Sequence, residues 1–311
     1  VQDSPPTERA PGTALEAAPA AIAGGRRLFW KREDLHELGS FKWRGALPAM
    51  ERYRALGADS VVTASTGNHG AAAAWAARRL GMRATVFAPR DASRDKLGRI
   101  EAAGGEIRLV GQDLDEAKDA ARREAEARSL PFFEDGAEPA QYGGYGTIAH
   151  EILDALGSDV GAIAVPTGNG ALIGGIGLVV RNRAPSVRVV AAVAKRAPVM
   201  ALSFAAGRAV PCAEMETFAD GLAVRVAIPS AVGLMARVVD EVRLVSEREI
   251  AAAVGLYARA GIRAEGAAGA GLAAALAGPP LPDPLVVVVT GRNVDEVLYR
   301  RAIEAPDSFS D

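Results

Sequence analysis

At 311 residues the chain can build one large or two modest domains whose cores need no staples. Its 36 Lys and Arg against 38 Asp and Glu give a net charge of −2, so it has no basic surplus to neutralise nucleic-acid phosphates or seek anionic lipid. The single Cys212 and three histidines exclude an internal disulfide and a Cys/His zinc cluster, and they point to a reducing, cytoplasmic setting.

In chain order, the Ala-rich stretch 14–24 is interrupted by Glu16 and Pro19 and lacks a preceding basic run, unlike a signal peptide. No apolar run approaches membrane-spanning length. Short β-branched runs then alternate with helix-length segments rich in Ala, Arg and Glu, the pattern of βα units around a parallel sheet. The strands read as Ser60–Ala64, Ala84–Ala88, Glu106–Val110, Gly161–Val165, Val187–Val193 and Leu285–Val289, with helices near 69–81, 93–103 and 113–128. The Gly-rich segment Tyr142–Gly146 reads as a break, after which a second α/β series runs to the C-terminus. The stretch Pro198–Pro229 has weak periodicity and reads as a long irregular excursion. After the helix that follows Leu285–Val289, no room is left for an appended regulatory domain.

Four segments join polar or glycine residues to a strand end or a helix start, the place where open α/β sheets bind ligands. The first is Ser40-Phe41-Lys42-Trp43-Arg44-Gly45-Ala46, preceded by Lys31-Arg32-Glu33-Asp34. Phe and Trp around Lys42 would desolvate its amine for carbonyl chemistry, although the lysine taken alone reads more readily as a surface residue. The second, Ser65-Thr66-Gly67-Asn68-His69-Gly70, opens a helix with free N–H groups suited to a carboxylate or phosphate. Simple N-capping by Ser65 or Thr66 explains it as well. The third, Thr167-Gly168-Asn169-Gly170-Ala171-Leu172, lets backbone approach a phosphate closely at a helix N-terminus. A dinucleotide site is disfavoured, because Gly168, Gly170 and Gly174 give GxGxxxG and the next strand ends without a ribose-binding acid. The fourth, Thr290-Gly291-Arg292-Asn293-Val294-Asp295, follows the last strand; Thr290 and Asn293 there also suit strand termination and helix capping.

Together these segments resemble the fold type II family of pyridoxal phosphate (PLP) enzymes, in particular its serine/threonine dehydratase and serine racemase branch. SFKWRGA resembles the Schiff-base lysine motif, STGNHG the substrate loop and TGNGALIGG the phosphate cup. Further matches are Gly144-Tyr145-Gly146-Thr147-Ile148, Ala219-Asp220-Gly221-Leu222-Ala223-Val224, Glu265-Gly266 and the terminal Thr-Gly-x-Asn. The resemblance implies two α/β domains, each an open, mostly parallel sheet flanked by helices as in a tryptophan synthase β-like fold. The large PLP domain would take 1–59 and 144–311, and the small substrate-loop domain 60–143.

The resemblance also implies roles. Lys42 would carry PLP and act as general base, with Ser65 as the second catalytic group. Phe41, Asn68, Gly168, Asn169, Gly170, Ala171, Leu172, Gly221, Glu265 and Thr290 would contact the cofactor, with Thr290 at the pyridine nitrogen. Ser65, Thr66, Gly67, Asn68 and His69 would contact the substrate. The implied reaction is β-elimination from a small hydroxy amino acid such as threonine or serine by a cytoplasmic homodimer. A racemase, a synthase adding a nucleophile to the bound intermediate or a threonine-synthase-like enzyme, and a catalytically silent PLP-binding protein are the other readings, the synthase weakened by Trp43. Departures from the branch are Asn169 and Ala171 in the cup, Arg292 in place of a glycine beside the ring, and Gly136 where an asparagine is usual. The acids that bind a divalent ion in some members are missing around Ala194–Met200, so no metal site and little effect of chelators are expected.

Overall fold

The computed structural model describes residues 12–310. Two sheets organise the chain. The larger contains β1 (Leu15–Ala17), β2 (Leu28–Arg32), β6 (Ala162–Pro166), β7 (Arg188–Ala194), β8 (Glu241–Val245) and β9 (Leu285–Val289), in the order β1-β2-β9-β6-β7-β8. Only β1 runs antiparallel to its neighbour. The smaller sheet is parallel, in the order of β3 (Ser60–Ala64), β4 (Arg83–Ala88) and β5 (Gly105–Leu109). Both are the expected α/β sheets flanked by helices.

β6 and β9 are buried along their whole length, and Ala-Ile-Ala-Val-Pro and Leu-Val-Val-Val-Val accordingly read as continuous apolar runs. Two separate apolar clusters cover the faces of the large sheet, one centred on the Ala-rich helix Gly266–Leu276 and the other on the helices Pro139–Leu156 and Ala171–Arg183. Small side chains let these layers approach closely: a Cβ at Gly269 would stand 2.8 Å from the Ile250 carbonyl oxygen. Among the described residues no helix is long and apolar enough to cross a membrane.

The expected break at Tyr142–Gly146 does not occur. These residues lie inside the helix Pro139–Leu156, so the expected boundary between 143 and 144 falls within a helix. Glycine in a helix interior costs about 1 kcal/mol relative to alanine, but packing requires it here, since a Cβ on Gly144 would collide with the Arg44 carbonyl oxygen of the helix Trp43–Ala55. The expected irregular excursion at Pro198–Pro229 contains the helix Val199–Ala206, and another helix starts at Pro229; the intervening chain carries the short turn Asp220–Leu222 and a single bridge of Pro211 to Val226. Strands β1, β2 and β8 were not foreseen. The charges of β2, Lys31 and Arg32, hide a strand because they are buried in ion pairs rather than solvated. The first eleven residues assigned to the large domain lie outside the described residues.

Candidate active site

In the large sheet the chain proceeds from β6 to β7 on one side, while β9 lies on the other. The loops leaving the C-terminal ends of β6 and β9 therefore diverge, which opens a crevice at this switch in strand order. The third and fourth sequence segments are those two loops.

Lys42 sits at the N-cap of the helix Trp43–Ala55. Its segment is laced to the end of β9: Phe41 N donates to Thr290 O at 3.0 Å, and Ser40 bridges to Gly291. Lys42 Nζ lies 5.2 Å from the Phe41 ring centroid, and that ring tilts against Tyr145 at 5.1 Å. Nζ donates to Asp135 Oδ2 at 2.5 Å. Burial disfavours the Asp135 carboxylate, yet the charge of Lys42 holds its carboxyl below the usual carboxylate range.

The Ser65–Asn68 loop connects β3 to the helix Asn68–Arg79. Gly67 N donates to Ser65 Oγ at 3.1 Å, so the serine folds back on its own loop while Thr66 and Gly67 remain partly exposed. Asn68 reaches across to Glu265 and Asn293: Nδ2 donates to Glu265 Oε2 at 3.1 Å, and Oδ1 accepts from Asn293 Nδ2 at 2.8 Å. His69 is buried beneath this loop. Its Nε2 lies 3.1 Å from Thr63 Oγ1 and 3.2 Å from Phe133 O, and its Nδ1 lies 3.5 Å from Asp135. Burial lowers the His69 pKa.

Across the crevice, Gly168–Gly170 lead into the helix Ala171–Arg183. Gly170 has φ +86°, a left-handed conformation that glycine adopts without strain. A Cβ at Gly168 would stand 2.5 Å from the Gly221 carbonyl oxygen, which explains why the Gly221 segment and the cup occur together. Asn169 Oδ1 accepts from Ala171 N at 3.1 Å, and Ala171 and Leu172 are buried in the first helical turn. Gly136 and Asn169, two of the departures noted in the sequence, are in contact: a Cβ at Gly136 would stand 2.9 Å from Asn169 Nδ2. The amide from the cup thus fills the space that a side chain at 136 would need.

At the far end Thr290 is buried, and its hydroxyl donates to Glu265 Oε1 at 2.9 Å. Burial and the negative charge of Asp220 push the Glu265 carboxyl up to about 7. Arg292 turns its guanidinium to the Asp34 carbonyl. Because the folded pKa of Glu265 exceeds its unfolded value, the folded state binds more protons between the two. Stability from this group is therefore full below pH 4.5 and declines as pH rises through about 7. In cofactor-free protein, Glu265→Gln should reduce the loss of unfolding free energy between pH 5 and 8 by about 3 kcal/mol, read from urea titrations at both pH values. Equal slopes in wild type and variant would refute this.

The groups around the crevice fit PLP. Helix N-terminal amides face a dianion without needing a cation, a lysine stands on the same rim, and the buried Glu265–Thr290 pair is available to a ring nitrogen. Ser40 Oγ, in the lysine segment, is buried without a hydrogen-bond partner among the described residues. Asp135 is the group the sequence did not disclose. Its only signal is an acid preceding a glycine just after the extended stretch that bridges Phe132 to Val62.

Comparison with known proteins agrees with this geometry. The pyridoxal-phosphate dependent enzyme family model matches residues 7–291. The chain is 38% identical over 275 residues to the L-threonine ammonia-lyase of Geobacter sulfurreducens, covering 87% of this chain and 68% of that protein. It is 36% identical over 290 residues to that of Thermotoga maritima, covering 91% and 71%. Among solved structures, the processed form of threonine deaminase isoform 2 from Solanum lycopersicum superposes with a TM-score of 0.87 at 29% identity, covering 94% of this chain and 87% of that one. Maize serine racemase superposes with a TM-score of 0.85 at 28% identity, covering 94% and 91%. With the lysine, the amide-lined loop and the fold in agreement, this chain belongs to the pyridoxal-phosphate dependent enzyme family.

Proposed function

We propose that the protein is a PLP-dependent ammonia-lyase that dehydrates and deaminates a small hydroxy amino acid, L-threonine or L-serine, to a 2-oxo acid and ammonia. The observation that carries this reading is Lys42 Nζ standing in the crevice at the switch point, beside helix N-terminal loops on both sides. The named activity of the two bacterial relatives supports it.

When bound, the cofactor supplies an aldehyde for the substrate amine and a ring that withdraws electrons from Cα. Lys42 Nζ accepts the Cα proton as general base. Ser65, Thr66, Gly67 and Asn68 hold the substrate carboxylate at the start of their helix, with His69 supporting the loop from beneath. Amides of Gly168–Leu172 hold the phosphate, and Phe41, Gly221 and Glu265 complete the wall. A protonated Glu265 can donate to Thr290, which frees the Thr290 proton for the ring nitrogen. Thr290 would offer that nitrogen a neutral hydroxyl, which donates a hydrogen bond without giving up its proton as a carboxylic acid would.

We assign the substrate loop to a small domain that starts at 60 and ends near the N-cap Glu138. Lys96 to Asp220 at 2.6 Å and Arg225 to Asp115 at 3.0 Å join it to the large domain. A cytoplasmic homodimer is the expected form. Incubating the purified protein with L- and D-serine and threonine, while measuring ammonia, 2-oxo acid and enantiomer exchange, tests the assignment. Release of 2-oxo acid from an L-isomer is expected. Enantiomer exchange without 2-oxo acid would replace it with the racemase reading, which the serine racemase likeness and the placement of Ser65 on the loop facing the crevice favour as second choice.

A further inference from the structure

We propose that Asp135 is a catalytic residue: its carboxylate is the counter-ion of the Lys42 nitrogen, fixing it in the crevice and stabilising it whenever it carries a proton. This rests on the reading of Lys42 as the cofactor-bearing base.

The contact is direct, with Lys42 Nζ 2.5 Å from Asp135 Oδ2, and both side chains are only partly exposed. Such a position limits solvent screening while leaving the pair open to the crevice. The rest of the carboxylate is held from several elements. Gln141 Nε2 lies 3.4 Å from Oδ1, His69 Nδ1 lies 3.5 Å from the same oxygen, and the Asn169 side chain hydrogen-bonds the carboxylate. The turn beneath is equally fixed: Gly136 has φ +85°, its N–H donates to Gln141 Oε1 at 2.9 Å, and its carbonyl accepts from Tyr142 at 2.8 Å. Asp135 is therefore aimed at Nζ by three polar side chains and a glycine turn. A surface ion pair of two free side chains has no such framework.

The charged and titratable groups facing the pair leave Asp135 with this task. His69 comes from the helix Asn68–Arg79, and burial keeps it toward its neutral form. Tyr142 and Tyr145 come from the helix Pro139–Leu156, and burial together with Asp135 pushes both phenols up, so they stay neutral. Lys118 is engaged by Glu134, and Glu265 stands beyond Lys42. Lys42 is thus the one cation these elements bring into contact with the Asp135 carboxylate. In the proton transfer the Cα–H bond breaks, an N–H bond forms on Nζ, and the electron pair remains on the substrate. The ammonium so formed meets Asp135 in the arrangement seen here.

The test uses the cofactor-loaded enzyme and its visible absorption, titrated from about pH 5 to 10 to bracket the ordinary range of such groups. Removing a neighbouring anion disfavours the protonated nitrogen, so Asp135→Asn should move the midpoint of the absorption change down by about one pH unit or more. Its kcat should fall by about tenfold or more with a smaller change in KM, because the ammonium forms during turnover rather than on binding. Asp135→Glu should recover most of both. A midpoint unmoved in Asp135→Asn with cofactor bound would overturn the proposal, and Asp135→Ser gives the same readout if the Asn variant does not fold. The titration needs no substrate. A wild-type enzyme that makes no 2-oxo acid would therefore count against the ammonia-lyase reading while the midpoint comparison still decides the role of Asp135.

Discussion

Lys42→Ala is expected to leave a folded protein that gains no visible absorption on addition of PLP and loses activity by at least about 10⁴-fold, the upper range for removal of a general base. The loss should be of this size because the same nitrogen has two duties, holding the cofactor and moving the Cα proton. The fold should survive. Lys42 belongs to the crevice rather than to any apolar cluster, and once its side chain is removed water can reach the partly exposed Asp135. Circular dichroism reports the fold, absorption titration reports the cofactor, and ammonia release reports turnover. An unchanged visible spectrum in the variant would show that another group carries PLP, and the assignments around the crevice would have to be withdrawn.

Arg44→Leu is expected to destabilise the protein by about 3–5 kcal/mol, the usual cost of breaking a buried ion pair on one side. Arg44 pairs with Glu33 through Nε at 2.7 Å and Nη2 at 3.0 Å, with Glu151 through Nη1 at 2.6 Å, and with Thr147 Oγ1 at 2.7 Å. Lys31 Nζ completes the cluster, 3.2 Å from Glu33 and 2.6 Å from Glu151. Two cations balance two carboxylates in a site where Lys31 and Glu33 are fully buried. Leucine fills part of the space but leaves one carboxylate in excess. Arg44→Lys keeps the charge and loses the forked geometry, so its loss should be smaller. Urea unfolding at neutral pH measures both. A loss below about 1 kcal/mol for the leucine variant, the scale of an exposed pair, would show that the cluster is solvated. The cluster joins β2, the helix that starts beside Lys42 and the helix Pro139–Leu156, so weaker cofactor binding should accompany the instability.

Much of the scaffold was legible because its signals are local. Leu285–Val289 and Ser60–Ala64 are apolar β-branched runs buried by covering helices, and they appear with the bounds read from sequence. The loops that lead from strand ends into helices were legible for a related reason: glycine and small polar residues there expose helix N–H groups wherever that sequence folds. The family followed from the order of these segments along the chain.

Other features depend on partners distant in sequence. The Tyr142–Gly146 run signals a break by propensity, but contact with the helix Trp43–Ala55 makes it helical, since only glycine admits Arg44 so closely. Lys31 and Arg32 conceal β2 because ion pairs supplied by other segments allow their charges to be buried. Asp135 lies 93 positions from Lys42 and reaches it only because a bridge to β3 and the Gly136 turn bring them together. The sequence by itself determined the α/β class and the family, because both are written in runs of adjacent residues and in the order of those runs. The tertiary structure alone decided which charges meet, since an electrostatic pair depends on distance through space and on exclusion of water, and neither is encoded by a local run of side chains.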